Sequence, residues 1–499
     1  MPKTILCFSR SYLSDFLPKL MEGIPDVQAL YIVQSDQEKR KIQKMGHRVV
    51  LNLESLGRDA LAADPDAAPR WTEPADMRKL TGFDWSPLYA DRYLSELSES
   101  VMLRIAGAIQ KALEETFAQH QIDGVLTEPV ALFPTHYMLY LCKRLGITPM
   151  LWANTYFPGY FYFVSDVHLC QPATLPAQSA ENMQDLQRTV QSFVERVAQD
   201  KAGPVYHHKF ANSKRGLTGY LRQRSGHEAL VLSPSITTKA IQALRFLRAS
   251  MHFMFFPRLG DYMTASARSE HKFYLRNVMG SIGYYDLPAD CFDPKNVFFP
   301  LQFEPEASLL YAAPDFRNQA ALVESILQSL PSEHVLWVKE HPNQFGALHH
   351  PQWRKLRKKY RNLRMVYGRQ NGRQLIQNCA LAVSITSTAG LDALIYGRRC
   401  IVLGDVFYRN FPGALPVRSA AEMAKLLNDK SNYCATQNPD VDQPPLIAAL
   451  VEFGRHCHLG DPQPSDQLYT DRNIANLRSA LMLALENAPK RAVSAVDAG

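Results

Sequence analysis

The chemistry-bearing residues of this chain stand just after short apolar runs. Val335-Leu336-Trp337-Val338 leads directly into Lys339-Glu340-His341-Pro342-Asn343. A histidine there can neutralise a phosphate as imidazolium, and its charge responds strongly to a neighbouring anion. Lys339 adds a second cation, and the proline fixes the turn. A second run, Leu381 to Ile385, leads into Thr386-Ser387-Thr388-Ala389-Gly390-Leu391-Asp392. Small residues let a ligand approach the backbone, and the start of the following helix offers free N–H groups and the positive end of a dipole. Ser387 and Thr388 either add hydroxyl donors or serve as helix caps. The glycines and lysine of a P-loop are missing, which disfavours ATP-type phosphate cradling. Glu128 follows the run Gly124 to Thr127 and precedes Pro129. A carboxylate there suits a general base or a nucleophile, with a cap or ion-pair partner as the plainer alternative. Gln302, Glu304 and Glu306 follow the run Val297 to Phe299 and are suited to sugar hydroxyls or a ribose. The histidines, His207-His208 included, show no metal-ligand spacing, and neither a metal nor a cofactor is expected.

These residues need strand ends to hold them, and the apolar pattern supplies them. Ile5 to Phe8 reads as a strand, Leu13 to Met21 as a helix and Leu30 to Val33 as a strand. Residues 53–95, rich in Asp, Pro and Ala, read as an irregular insertion. A helix from about Leu94 to Ala118 follows, with Val101, Ile105, Ile109 and Leu113 at helical spacing. Strand Gly124–Thr127, helix His136–Leu145 capped by Gly146 and strand Pro149–Trp152 then form a β-α-β unit. From 296 the alternation returns. Strands are read at Val297–Phe299, Val335–Val338, Leu363–Val366, Leu381–Ile385 and Cys400–Leu403. Helices lie between them: one capped by Asp315 with a core face from Leu322 to Leu330, a basic one near Trp353–Tyr360, and others starting near Arg373 and Gly390. Alternation of this kind implies parallel sheets covered on both faces, with ligands outside the carboxyl ends of the strands. The fold class is therefore α/β: two Rossmann-like domains facing a cleft, with a helical insertion. The boundaries read as 1–175, a basic helical insertion or linker at 176–290, 291–430, and a helical extension at 431–499.

A chain of 499 residues calls for two domains. Hydrophobic content of 46% and charged content of 21% suit a soluble globular protein. No apolar stretch is long enough to span a membrane, and the start does not read as a signal peptide. The eight cysteines are scattered without a CxxC pair, which suits reduced thiols in a cytoplasmic protein. Net charge is +7, and residues 201–250 carry nine Lys/Arg against one acid, so that segment is +8 and the rest of the chain −1. Such a surface implies either an anionic partner or a solvated face. The expectation is an anionic membrane surface reached through 201–258, with no nucleic acid as partner.

Four segments resemble the bacterial capsule polysaccharide biosynthesis family, which includes the Kdo transferases of capsule export. They are Asp123 to Asp166, Phe299 to Tyr311, Val338 to Asn343 and Ser384 to Tyr408. The resemblance implies a GT-B glycosyltransferase, with His341, Ser387 and Thr388 at the nucleotide phosphate and Glu128 near the acceptor or anomeric carbon. Asp392 stands where the family pattern has glutamate, a shorter reach toward nucleobase or ribose. A nucleotide-sugar donor is implied, CMP-linked by analogy and carrying Kdo or a related acidic sugar, with UDP and GDP as alternatives. The acceptor would be a surface polysaccharide or lipid-linked glycan. The absence of a DxD motif points to metal independence, with phosphate charge met by helix dipoles and basic side chains. Two other readings fit the same pattern: a sugar-nucleotide epimerase of like architecture, and a non-catalytic capsule-assembly partner.

Overall fold

The computed structural model describes residues 2–168, 180–199, 285–433 and 443–487, apart from 66–67, 289–290, 305, 342–347, 349 and 369, together with isolated positions at 172 and between 240 and 251. The chain divides into two compact units; unit 1 takes Met1–Leu175, Phe256–Ser269 and His456–Gly499, and unit 2 takes Pro176–Phe255 and Glu270–Arg455.

Unit 1 begins with β1 (Lys3–Ser9), α1 (Leu13–Met21), β2 (Val27–Val33), α2 (Asp36–Lys44) and β3 (Arg48–Asn52). The stretch expected to be irregular folds instead into α3 (Leu53–Ala62), α4 (Met77–Thr81) and α5 (Pro87–Ala90), ahead of the long α6 (Glu99–Gln119). Its turn residues sit between these short helices: Asn52 caps α3, and Gly82 ends α4 with a left-handed φ of 68°. There follow β4 (Gly124–Thr127), α7 (Phe133–Leu145, closed by left-handed Gly146), β5 (Thr148–Asn154) and β6 (Tyr160–Val164). The sheet order is β13-β6-β5-β4-β1-β2-β3, where β13 is His458–Leu459. Its pairings are parallel except that β6 runs against β5 and β13 against β6. The last described helix, Asp471–Glu486, packs onto the same core through Leu477, Ala480, Leu481 and Leu485. Residues from His456 on therefore complete unit 1, where the sequence reading placed a separate extension. Apolar positions of that helix are spent on Leu13, Phe16 and Trp152, which a sequence pattern does not reveal.

Unit 2 opens with α8 (Ala180–Ala198), where the sequence suggested the helical insertion; of that insertion, 201–239 and 252–284 lie outside the described residues. The sheet is built from β7 (Asn296–Pro300), β8 (Val335–Lys339), β9 (Leu363–Val366), β10 (Leu381–Ser384), β11 (Arg399–Val402) and β12 (Ala414–Pro416). Its order is β12-β11-β10-β7-β8-β9 and every pairing is parallel. Strands β7 and β10 are buried along their whole length, as a sheet covered on both faces requires. The connecting helices are α9 (Ala307–Leu310), α10 (Gln319–Ser329), α11 (Pro351–Lys359), α12 (Gly372–Gln377) and α13 (Thr388–Ile395). Helix α10 is capped by Asn318, whose side chain accepts from the N–H of Ala321, and not by Asp315, which lies in a 3-10 turn just before. Both are good capping residues, and Asn318 stands at the first helical turn.

Candidate functional site

In unit 2 the strand order decides which turns meet. β7 lies between β10 and β8, so the turn after β7 can touch the turns that follow both neighbours. It does so with consecutive residues. The Gln302 carboxamide, oriented to satisfy its surroundings, accepts from the backbone N–H groups of Thr386 at 2.8 Å and Ser387 at 2.9 Å. The Phe303 ring lies edge-on to the His341 imidazole, 5.7 Å between centroids. Gln302 is itself fixed by Gln319 at the start of α10. The Gln319 oxygen accepts from Gln302 N–H at 2.7 Å, and its NH2 donates to Gln302 O at 3.1 Å and to Glu304 at 2.6 Å. The structure thus brings Gln302, Glu304, His341, Ser387 and Thr388 to one edge of one sheet. Glu306 stands at the cap position of α9, without a side-chain cap bond.

The turn after β10 is held mainly by uncharged groups. Ser384 Oγ accepts from the N–H of Ser387 at 3.1 Å, and Ser387 Oγ caps α13 by accepting from the N–H of Ala389 at 3.2 Å. The buried Tyr408 hydroxyl donates to Ser387 O. Gly390 is required by that tyrosine, since a Cβ there would fall on its hydroxyl and ring. Ser387 is therefore a cap as well as a candidate ligand. Among the described residues, the first-turn N–H of α13 that makes no hydrogen bond within the protein is that of Thr388, whose side chain is half-buried beside it. An amide left open at a helix N-terminus next to a hydroxyl is suited to an anionic oxygen.

Lys339 takes a different place from the one its charge suggests. Its side chain is buried, and Nζ donates to Gly368 O at 2.6 Å and Glu340 O at 3.5 Å. Burial lowers its pKa to about 8, partly offset by the neighbouring Glu340 carboxylate. Its ammonium ties the end of β8 to the end of β9. Glu340, fully buried, accepts from Tyr285 Oη at 2.9 Å and Leu348 N–H at 3.3 Å, tying the residue before His341 to Leu348 and Tyr285. Pro342 and Asn343 lie outside the described residues. Asp392 accepts from Arg373 Nε at 3.1 Å, both side chains being largely buried.

In unit 1, Glu128 leaves the carboxyl end of β4 next to the end of β1. Its Oε2 accepts from Arg10 Nε at 3.1 Å and Nη2 at 3.0 Å, with about a fifth of each side chain exposed. The ion-pair alternative weighed for Glu128 is thus present in the structure. The next residue, Ser11, has a left-handed φ of 53°, and its N–H is held at 2.7 Å by Glu38. The same Glu38 carboxylate receives the N–H groups of Gln34 and Ser35 and completes a capping box on α2.

Sequence reasoning missed Arg10, Gln319, Tyr408 and Glu340 in these roles. Tyr408 closes the last resembling segment and Glu340 sits inside the Lys339–Asn343 motif, so both had a signal. Arg10 and Gln319 had none, because their partners are remote in sequence. Among the described residues, no group of three or more His, Cys, Asp or Glu is placed to hold a metal ion, and no helix is long and apolar enough to cross a membrane.

Residues 258–428 match the family described as capsule polysaccharide biosynthesis protein. The match contains β7 through β12 of unit 2 and every candidate residue there, and the resemblance read from the sequence holds over this segment. No curated protein matches the chain. Solved structures similar to it include KpsC of Thermosulfurimonas dismutans, a beta Kdo 2,4 transferase, at 11% identity over 72% of this chain and 87% of that one, TM-score 0.29. The UDP-GlcNAc 2-epimerase of Methanocaldococcus jannaschii, in complex with UDP-GlcNAc and UDP, is 12% identical over 88% and 98%, TM-score 0.27. HepE of Anabaena, in complex with UDP-glucose, is 11% identical over 96% and 99%, TM-score 0.27. Likenesses this distant assign neither ligands nor residue roles to this chain.

Proposed function

We propose that the protein is a glycosyltransferase of surface-polysaccharide synthesis that uses a nucleotide-sugar donor bound at the carboxyl edge of the unit 2 sheet. One observation carries the reading: inside the segment matching the capsule family, the turn after β7 touches both the His341 end of β8 and the Thr386–Thr388 turn, where an amide and a hydroxyl stand ready at a helix start. His341 supplies a cation to the departing phosphate; Thr388, and Ser387 when it yields its cap bond, supply hydroxyl and amide donors. Charge that develops on the leaving phosphate is then met by fixed dipoles. Glu304 and Glu306 are the carboxylates of this edge proposed for sugar hydroxyls. Lys339, spent on backbone carbonyls, serves the shape of the edge and has no proposed phosphate contact. Asp392, held by Arg373, sets the far side of α13. Glu128, held in place by Arg10, is the proposed base for the acceptor hydroxyl, or the nucleophile of a retaining double displacement. The donor is proposed to be CMP-linked, carrying Kdo or a related acidic sugar, by the family resemblance. The acceptor is a polysaccharide or lipid-linked glycan, and the basic segment 201–258 is the proposed contact with an anionic inner-membrane surface.

A thermal-shift panel of CMP, UDP, GDP and their sugar conjugates tests this. A true ligand at 100 times its Kd stabilises by about 2.7 kcal/mol. Stabilisation by a cytidine nucleotide that is lost in Ser387→Ala/Thr388→Ala is expected; indifference to every nucleotide contradicts the proposal. Conversion of the donor sugar without any acceptor would favour the epimerase reading.

A further inference from the structure

The stretch from Pro351 to Arg364 contains seven Lys/Arg and no acidic residue. Helix α11 is amphipathic: Trp353 and Leu356 are buried in the unit 2 core, and Arg354, Lys355 and Lys358 are exposed on the other side. Arg361, exposed two residues past the end of the helix, adds a fourth cation beside it. Two neighbouring cations have acidic partners: Arg357 pairs with Asp286 at 3.0 Å and Lys359 with Glu324 at 2.8 Å. Among the described residues Arg354, Lys355, Lys358 and Arg361 have no ion pair. Two of the seven cations are thus paired with carboxylates, Arg364 donates to backbone carbonyls, and four exposed ones remain without an ion pair.

We infer that the outer face of α11 is a docking surface for an anionic phospholipid bilayer, formed by residues outside the 201–258 segment and away from the donor edge. The shape of the face favours a lipid surface over other polyanions. It is the convex side of a helix, which meets a plane of charges at several points and offers no groove to a saccharide chain. Its aromatic residues are turned away: Trp353 is buried, and Tyr360 donates to Glu324 and lies under Lys359, 5.0 Å from the ring centroid. A single-stranded nucleic acid would need such rings as stacking platforms. The face also runs away from the donor edge, since α11 returns the chain from the end of β8 to the start of β9, where Asn362 donates to His334 O.

The experiment is vesicle co-sedimentation of the full chain, with phosphatidylcholine vesicles against mixed phosphatidylcholine/phosphatidylglycerol vesicles at low and high salt. Each cation near an anionic surface contributes about five-fold in partition, from about 1 kcal/mol each. Replacing Arg354, Lys355, Lys358 and Arg361 by Ser should weaken partition to anionic vesicles by on the order of a hundred-fold or more, whatever 201–258 contributes. Arg354→Lys with Arg361→Lys should bind as wild type, and Lys358→Glu alone should give an intermediate loss even if the fourfold variant misfolds. Nucleotide stabilisation of all these variants should equal wild type, which separates this inference from the donor reading. Binding equal to neutral vesicles, binding unchanged in the Ser and Glu variants, or vesicle binding abolished by a competing single-stranded oligonucleotide held more tightly by the same residues would each overturn it.

Discussion

At the carboxyl edge of the unit 1 sheet two ionised side chains from adjacent strands, Arg10 and Glu128, meet each other. At the corresponding edge of unit 2 the turn at the start of α13 is held by a carboxamide, two serine hydroxyls and a tyrosine. The difference suits two tasks. A turn shaped by neutral dipoles leaves an amide for an incoming anion and adds no negative charge to repel it. A carboxylate pinned by guanidinium keeps a fixed direction and can accept a proton. The buried charges of unit 2 are placed as fasteners, with Lys339 on two carbonyls and Glu340 on a hydroxyl and an amide.

The largest effect that would sharpen this contrast comes from unit 1. Glu128→Gln keeps size and most hydrogen bonding but removes the base, so kcat should fall by roughly 100-fold or more while donor Kd is unchanged. Mass spectrometry of intact enzyme with donor separates the two roles, since only a nucleophile gains a sugar mass. A wild-type turnover in this variant would move the chemistry to Glu304 or Glu306.

Next comes the fastening of the unit 2 turn. Gln302→Leu removes one acceptor from the Thr386 and Ser387 amides inside a buried site and leaves the Ser387 N–H to Ser384 Oγ, a cost of about 1–3 kcal/mol in stability and a weaker donor Kd. Unchanged melting and unchanged Kd would show that the carboxamide does not hold the turn.

The two units should also differ in their response to pH. In unit 1, burial lowers the pKa of His136 from 6.5 to about 3 and that of His458 to about 4. Both stay neutral in the fold while the unfolded chain takes up protons below pH 6.5. Stability should therefore fall as pH drops from 6.5, by up to about 1.4 kcal/mol per pH unit for each histidine, levelling near pH 3 to 4. In unit 2 the lowered pKa of Lys339 works at the other end: the unfolded chain holds that proton longer, so stability should rise between pH 8 and 10.5. Urea melts followed unit by unit across pH check both signs. His136→Phe should flatten the acid limb, and Lys339→Met the alkaline one.

The smallest effect concerns Ser387. Its Oγ caps α13, so Ser387→Ala alone should cost about 1 kcal/mol in stability, and Thr388→Ala should act mainly on donor Kd. Normal donor binding in Thr388→Ala would reduce this turn to a helix start.

Much of this was legible in the sequence because parallel strands buried on both faces appear as apolar runs, and their ends mark the ligand edge. Leu13–Met21, Gly124–Thr127 and Leu363–Val366 have the same bounds in sequence and structure. The short helices of 53–95 were hidden because each spans too few turns to show a period. Strand β6 was hidden because Tyr160–Val164 reads as an aromatic stretch whose antiparallel pairing with β5 no local pattern encodes. At the site, strand ends exposed His341, Ser387 and Glu128, while Arg10 and Gln319 could be found only through topology. Lys339 was read for its charge alone; that its stem folds onto Gly368 O could be seen only in the structure.

The central claim, that the edge of unit 2 holds a nucleotide phosphate, is tested most directly by calorimetric titration of CMP and CMP-sugar into wild type and His341→Ala. Removing a cationic donor from a phosphate should cost about 1.5–3 kcal/mol, a rise in Kd of roughly ten- to two-hundred-fold, with an unchanged melting temperature for the free protein. Equal affinity in the two proteins would contradict the account.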